Sequence, residues 1–520
     1  MALATVGFAA TFWVWALLAS LGPELSGRIG LSPLGQGVLA AVPFAIGSLG
    51  RFPVGVLTDR YGARLMLPTV SMAGAAALVG AAFVDSMPAL VLVACALGIA
   101  GTMFAIGFAL VSRSCSAEKR SLALGVFGTG VVGAAAAGVT VPRLAQLDDY
   151  RTVLLQAAAA LAAFAVVAAA VVHDRPAFGK NQSMVRAAAA ALRVPAVPRL
   201  ALLYAAAYGT MIAAAVYLPV YLRTEYGLAW APAVSGTAVF VATAAAVRPV
   251  GGWLVDRQAP ARVLAGCFGL AGVCVLVQAF APPLPSAMIA LAGIAVGLGV
   301  ATGVLLAMIG VFAPPERAGA VAGAVGVAGG ITGLVSPLLM AAVYAVDGSF
   351  GIAMTALSAL LLAVAAHLRM RPEWIDAPSG RIDPPYEGDG PIVVAIAWAD
   401  LRRNLQTIAG VLAELARHHE LLIVHGADRA PTGNPLHTLA GALHLRLPRH
   451  RIVPTLVGIT ERAGHAVADL IGDLLEDGAV AIAVAPTLDP EPTAALLAKH
   501  IGATRVLHLT TTSAGRISWS

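Results

Sequence analysis

Two arginines stand where their neighbours read as membrane. Arg51 interrupts the apolar run FAIGSLGRFPVGVL, and Arg248 interrupts VATAAAVRPVGGWLV. A guanidinium near the middle of a bilayer costs at least roughly 2.5–3.5 kcal/mol on insertion scales, so an intramembrane arginine calls for a function. The nearest acids along the chain are Asp59 and Asp256, eight residues on. That is about 12 Å of helix, too far to neutralise either charge, and no other Asp or Glu falls mid-span. A planar fork of donors matches an oxyanion. Two such forks on opposite walls of one cavity would clamp a small anion. The plainer alternative is that each arginine bonds carbonyls at a helix kink set by Pro53 or Pro249.

The arginines belong to a repeat. Residues 51–60 read RFPVGVLTDR and residues 248–257 read RPVGGWLVDR. Arg51, Gly55 and Asp59 map onto Arg248, Gly252 and Asp256 at a single offset of 197 positions. The first copy runs on through Arg60 to Gly62 and Arg64, and the second keeps Arg257 and Arg262. In such a motif the glycine lets a neighbouring helix approach, and the acid can cap or pair across a membrane face. The arginines anchor the loop at the surface. This is the chemistry of a gate.

A second echo follows at nearly the same offset, GVFGTGVVGAAAAG (125–138) and GAVGVAGGITG (323–333). Glycine in a helix interior costs roughly 1 kcal/mol. In return Gly125, Gly128, Gly130 and Gly133, with Gly323, Gly326, Gly329, Gly330 and Gly333, allow close backbone approach and leave room for a small substrate. Close packing alone explains them equally well. Two halves related by a parallel repeat place a substrate site between them at mid-depth.

The composition supplies the elements that must hold these residues. The chain is 59% hydrophobic and only 12% charged over 520 residues, with a mean hydropathy of +0.84. A soluble domain carries about 25% charged residues. About 20 apolar residues cross a bilayer, and twelve stretches qualify, near 3–22, 34–57, 66–84, 88–111, 121–141, 152–172, 199–221, 232–255, 263–281, 285–311, 319–343 and 350–368. The first begins beside Met1 without a basic leader, and reads as a membrane helix rather than a cleaved signal. Cys95, Cys115, Cys267 and Cys274 are scattered through apolar segments and read as small hydrophobes. No metal or cofactor is implied, and the net charge of +6 needs no nucleic acid to explain it. Lys and Arg gather in the loops after even-numbered spans, which predicts that both termini are cytoplasmic.

The expected organisation is a six-helix bundle (1–172), a cytoplasmic connecting loop (173–198), a second six-helix bundle (199–368), a linker (369–390) and a soluble domain (391–520). The fold class is an all-α membrane protein with a 6+6 pseudo-repeat plus a small α/β domain. In the last part, 391–399, 420–426, 479–486 and 504–511 read as strands. Residues 404–419, 460–478 and 492–502 read as helices, which predicts a mostly parallel sheet.

The motif Gly55–Arg64 with its repeat resembles the major facilitator superfamily over residues 1–370. Within it, an arginine on helix 2, another on helix 8 and glycine-rich helices 5 and 11 look like the nitrate/nitrite porters. That resemblance implies a planar anion held between Arg51 and Arg248, helped by aromatics and by an Asn in each glycine signature. LLYAAAYGT on helix 7 resembles the family's segment and makes Tyr204 a candidate ligand. Where the family's first signature has Asn this chain has Val131, after Gly130, and the second signature, with Gly329 and Gly330, also lacks it. Nitrite, cyanate, formate, bicarbonate or a small organic anion therefore stand beside nitrate. The last domain more faintly resembles the amino-acid kinase fold, carbamate kinases in particular, but 395–401 reads AIAWADL where the kinase loop needs glycines. A non-catalytic domain follows from that, with a possible cytoplasmic partner or ligand.

The expectation is a secondary carrier in the cell membrane, not an enzyme. It would work by alternating access and favour exchange, because two facing arginines repel until an anion lies between them. A sensor signalling through the last domain is one alternative. An exporter of organic metabolites is another, disfavoured because a cavity for lipophilic cations needs acidic and aromatic walls that the sequence does not suggest.

Overall fold

The computed structural model describes residues 1–21, 33–84, 86–147, 149–174 and 183–375, and beyond these only the strands of a C-terminal sheet. Contacts divide the chain into two compact units, Met1–Ile375 and Asp376–Ser520.

The first unit is helical throughout its described length. Without water in a bilayer core each backbone N–H and C=O must be satisfied within its own segment, and the helix does this. The helices are α1 (Ala2–Ser20), α2 (Pro33–Tyr61), α3 (Ala63–Phe83), α4 (Met87–Gly98), α5 (Met103–Ser114), α6 (Ala117–Gly128), α7 (Val132–Leu147) and α8 (Tyr150–Val171). There follow α9 (Met184–Leu192), α10 (Val197–Tyr226), α11 (Trp230–Ala246), α12 (Arg248–Val255), α13 (Pro260–Ala279), α14 (Leu284–Phe312), α15 (Ala318–Asp347) and α16 (Gly351–Met370). Three crossings are broken. The 3₁₀ turn Ile99–Thr102 joins α4 to α5, Thr129–Val131 joins α6 to α7, and Val247 alone separates α11 from α12. With these joined, eleven helices among the described residues are long and apolar enough to cross a membrane, and the shorter apolar stretch Ala2–Leu17 in α1 makes six helices before α9 and six after it.

The segment expected to be a connecting loop contains a helix. Its sequence RAAAAALR explains why, since alanine is the strongest helix former, and Met184–Leu192 takes it up. Residues 369–375, read as the start of a linker, belong to the first unit. Trp374 stacks edge-on against His367 at 5.0 Å and its carbonyl accepts from Arg199 Nη1 at 2.9 Å, so residues through Ile375 stay with the bundle.

Burial separates the helices. In α14, 89% of the most apolar window lies inside the protein, against 22% in α16. The glycine-rich α15 packs along α2, and α6 packs along α12, so each half lends a glycine helix to the other half's arginine helix. A Cβ added to Gly55 would strike the backbone of Gly319, and one on Gly252 would strike that of Ser121. Backbone cannot swing aside. Gly55→Ala is therefore expected to destabilise the protein by roughly 1–3 kcal/mol, the cost of overpacking. Gly138→Ala, with open space around its Cβ, should instead gain up to about 1 kcal/mol of helix propensity. Paired thermal melts read both.

In the second unit six strands form one sheet, β1 (Ile392–Ile396), β2 (Leu421–His425), β3 (Ile452–Thr455), β4 (Val480–Val484), β5 (Val506–Thr511) and β6 (Ile517–Trp519). Their order is β3-β4-β2-β1-β5-β6, parallel except for β6 against β5. Four strands coincide with sequence expectation. The sequence does not announce β3 or β6, because RIVPTL carries a proline and ISW is too short to show alternation. The three helices read between strands, and the loop after His425, lie outside the described residues.

Candidate functional site

Arg51 projects from α2 between two interior prolines, Pro43 and Pro53. Arg248 opens α12 just after the break at Val247. Both side chains are 1% exposed. Each reaches across to the opposite half. Arg51 Nη1 donates to the carbonyl of Gly326 on α15 at 3.1 Å, and Arg248 Nη1 donates to that of Gly128 on α6 at 2.7 Å. The kink alternative is thus realised in part, but with carbonyls of the other repeat. Gly128 and Gly326 also explain themselves, for a Cβ on either would press within 3.1 Å of the arginine's own Cδ.

One carbonyl does not satisfy a guanidinium with five N–H donors. Arg248 Nη2 adds only a 3.6 Å contact to the Met211 thioether, a weak acceptor. The Nε of both arginines is buried without a partner. Among the described residues neither has a carboxylate within ion-pair distance. A buried, under-bonded cation is costly, and an oxyanion offers acceptors to both forks together.

Aromatic rings fill the surroundings. Arg51 lies over Phe104 at 5.2 Å, Tyr208 at 5.7 Å and Phe12 at 5.9 Å, contacts worth roughly 0.5–2 kcal/mol each. Tyr204 stacks on Tyr208 at 5.2 Å, and its phenol lies within electrostatic reach of both arginines. Phe8 stacks on Phe127 at 4.9 Å and tilts toward Phe104. The walls are therefore aromatic, contrary to the reading used against an exporter. Isolated phenylalanines in apolar helices give no sign of converging. What still opposes a cationic cargo is the pair of positive charges. Rings that exclude water also strengthen attraction between a guanidinium and an anion.

The glycine signatures pack around the same rings. Gly329 faces the rings of Tyr204 and Tyr208, and Gly330 faces Ser48. Gly130 backs onto Phe8, and Val131 is buried in the cluster that holds Phe8, Phe104 and Phe127. The contact to Arg248 comes two residues earlier than Gly130, from Gly128. Sequence reading singles out the glycine signature but not Gly128 and Gly326 within it as acceptors. Their near-equal offset to that of the arginines is the signal available.

The gate motif lies at the end of the bundle where α2 turns into α3. Gly62, at φ 82°, makes that turn in a conformation other residues avoid. Asp59 is fully buried. Its Oδ1 accepts from Gly319 N at 2.9 Å and its Oδ2 from Ala320 N at 2.7 Å, so it caps α15 of the opposite half. Arg113 Nη1 donates to Asp59 at 3.0 Å, while its Nε and Nη2 hold Asp174 at 3.2 and 2.6 Å. Asp174 in turn accepts from Ala63 N at 2.7 Å, capping α3. Two capping carboxylates thus share one arginine, and one of them joins the halves. In the second copy burial pushes the Asp256 carboxyl above the usual range, against the pull of Ser121 and Arg257. Arg60 lies over Tyr61 at 5.5 Å, Arg257 over Trp253 at 4.1 Å, and Arg64 is exposed.

The model of the Major Facilitator Superfamily matches residues 3–337 and 237–416. A probable nitrate/nitrite transporter, NarK2, of Mycobacterium tuberculosis is 37% identical over 371 residues, 70% of this chain and 93% of the relative. A nitrite extrusion protein of Bacillus subtilis is 30% identical over 369 residues, 70% of this chain and 91% of the relative. A probable nitrate/nitrite antiporter, NarK1, of Thermus thermophilus is 30% identical over 284 residues, 52% of this chain and 63% of the relative. Among solved structures, the human organic anion transporter MFSD10 superposes with a TM-score of 0.60 at 16% identity, covering 71% of this chain and 98% of its own. The fucose:proton symporter FucP of E. coli gives 0.56 at 19%, with the same coverage. Arginine-bearing helices, glycine helices and overall fold agree with these likenesses: the chain belongs to the major facilitator superfamily, among its nitrate/nitrite porters, and is an anion transporter rather than an enzyme.

Proposed function

We propose that this carrier exchanges small monovalent oxyanions of the nitrate and nitrite kind by alternating access, with the anion held between Arg51 and Arg248. The observation that carries the reading is the pair of buried guanidiniums, each bonded to a glycine carbonyl of the opposite half and each with an unpartnered Nε. Tyr204 and Tyr208 form the wall beside them, and the relatives' names point to the same anions. The end that holds Asp59 carries Arg60, Arg64, Arg113, Lys119 and Arg257. By the positive-inside rule it faces the cytoplasm, so the Asp59 cap closes the cytoplasmic gate.

Exchange follows from charge. The empty site holds two unneutralised cations, and an anion between them lowers the energy of the occluded state through which the carrier must pass. Nitrate uptake by proteoliposomes of the full chain is expected to rise several-fold when the vesicles are preloaded with nitrite. Equal rates into loaded and empty vesicles would remove exchange from the proposal.

A further inference from the structure

Ser48 is 2% exposed, and its hydroxyl has no hydrogen-bond partner. Other hydroxyls in this bundle behave differently. Thr11, Thr58, Thr102, Thr129, Thr302 and Thr332 each donate to a carbonyl three or four residues back on their own helix. That local bond is the default for Ser and Thr inside helices, and Ser48 does not make it. A buried polar group left unpaired pays its desolvation without return. The other such hydroxyl among the described residues, Ser71, is on α3, away from the helices that bring the arginines and tyrosines together.

The position of Ser48 suggests what it donates to. It precedes Arg51 by three residues and so shares its face of α2. Opposite, a single turn of α15 meets three groups in succession. The Gly326 carbonyl takes Arg51, Gly329 lies against Tyr204 and Tyr208, and Gly330 lies against Ser48. A Cβ at Gly330 would collide with Cβ and Oγ of Ser48, so only glycine there admits the hydroxyl.

We propose that Ser48 Oγ donates to an oxygen of the bound anion, a neutral third donor beside the two guanidiniums, and sets the preference for trigonal over bent oxyanions. This rests on the reading of the arginine site above. Two forks can serve the two oxygens of nitrite or formate. The third oxygen of nitrate needs a further donor, and the hydroxyl supplies it without adding charge.

The test compares nitrate and nitrite transport kinetics in proteoliposomes of the full chain. Ser48→Ala is expected to raise KM for nitrate by about tenfold to one hundredfold, as for loss of a hydrogen bond to a charged group, and to change KM for nitrite far less, with kcat and Tm unchanged. Gly330→Ala drives a Cβ into Cβ and Oγ of Ser48 and, by displacing the hydroxyl, should raise the same ratio while lowering Tm. A wild-type ratio in Ser48→Ala overturns the proposal, as does a rise of both KM values in equal proportion, which would make packing the cause. Should Ser48→Ala fold poorly, Ser48→Cys takes its place, similar in volume but a weak donor. A raised nitrate-to-nitrite ratio of KM in Ser48→Cys supports the third donor, and a wild-type ratio there overturns it. If Arg51→Lys and Arg248→Lys transport normally, the site itself is wrong. If they fail while Ser48→Ala keeps the ratio, only the role of Ser48 falls.

Discussion

Arg51→Lys and Arg248→Lys are each expected to lose anion uptake almost completely while the protein stays folded. Lysine keeps the positive charge and replaces a fork by a point. One ammonium cannot hold a glycine carbonyl across the bundle and also present two parallel donors to a planar anion. Breaking one partner of a desolvated charged contact costs about 2–5 kcal/mol, which is roughly 30- to several-thousand-fold in affinity. The two variants should be alike, because the surroundings are alike: each Nη1 on a carbonyl of the opposite half, at 3.1 and 2.7 Å, and each Nε unpartnered. Uptake against anion concentration, with anion-dependent thermal shifts on the same preparations, checks this. A wild-type KM in either variant would mean that the arginines serve the fold alone.

Asp59→Asn is expected to unlatch the gate. The wild-type carboxylate receives two backbone N–H groups at the start of α15 and one guanidinium N–H. Asparagine accepts through one oxygen and carries no charge, so the helix N-terminus loses its compensating anion. Removing one partner of a buried ion pair costs about 3–5 kcal/mol, and the lower figure applies because Asp174 still holds Arg113. Two states separated by a few kcal/mol then exchange populations. Hydrogen exchange reads the latch directly. The amides of Gly319 and Ala320 should be protected in the wild type and fast in Asp59→Asn. In Asp174→Asn the Ala63 amide becomes fast while Gly319 and Ala320 stay slow. Unchanged protection of Gly319 in Asp59→Asn would show that the carboxylate does not hold the halves together.

Much of this is legible in the sequence, for identifiable reasons. Helix crossings show as runs of apolar residues because lipid leaves no other choice. The repeat shows because Arg51, Gly55 and Asp59 recur at one offset. What stays hidden depends on long-range meeting. Arg113 is 54 residues from Asp59 and 61 from Asp174, and a lone arginine near a loop reads as topology. Phe12, Phe104 and Phe127 look like any apolar residue until packing gathers them. Ser48 is conspicuous only because its neighbours in space leave the hydroxyl unpaired. Val131 misleads in a different way: its missing amide draws attention, while the atom that meets Arg248 is a main-chain oxygen at Gly128, which no side-chain pattern reveals.

Peptide carbonyls hold the two guanidiniums without cancelling them, so the centre of the empty protein carries about two positive charges. A shift of access around an empty centre would drag them through the membrane field, and each elementary charge is worth about 2.3 kcal/mol per 100 mV. In the proposed exchange, seating one monovalent anion would lower the moving charge by one, and swapping it for another monovalent anion would restore the same value. The complete cycle then transfers no net charge. A carrier built this way should be indifferent to voltage over a full exchange, and electrical recordings of nitrate–nitrite counterflow should show no steady current.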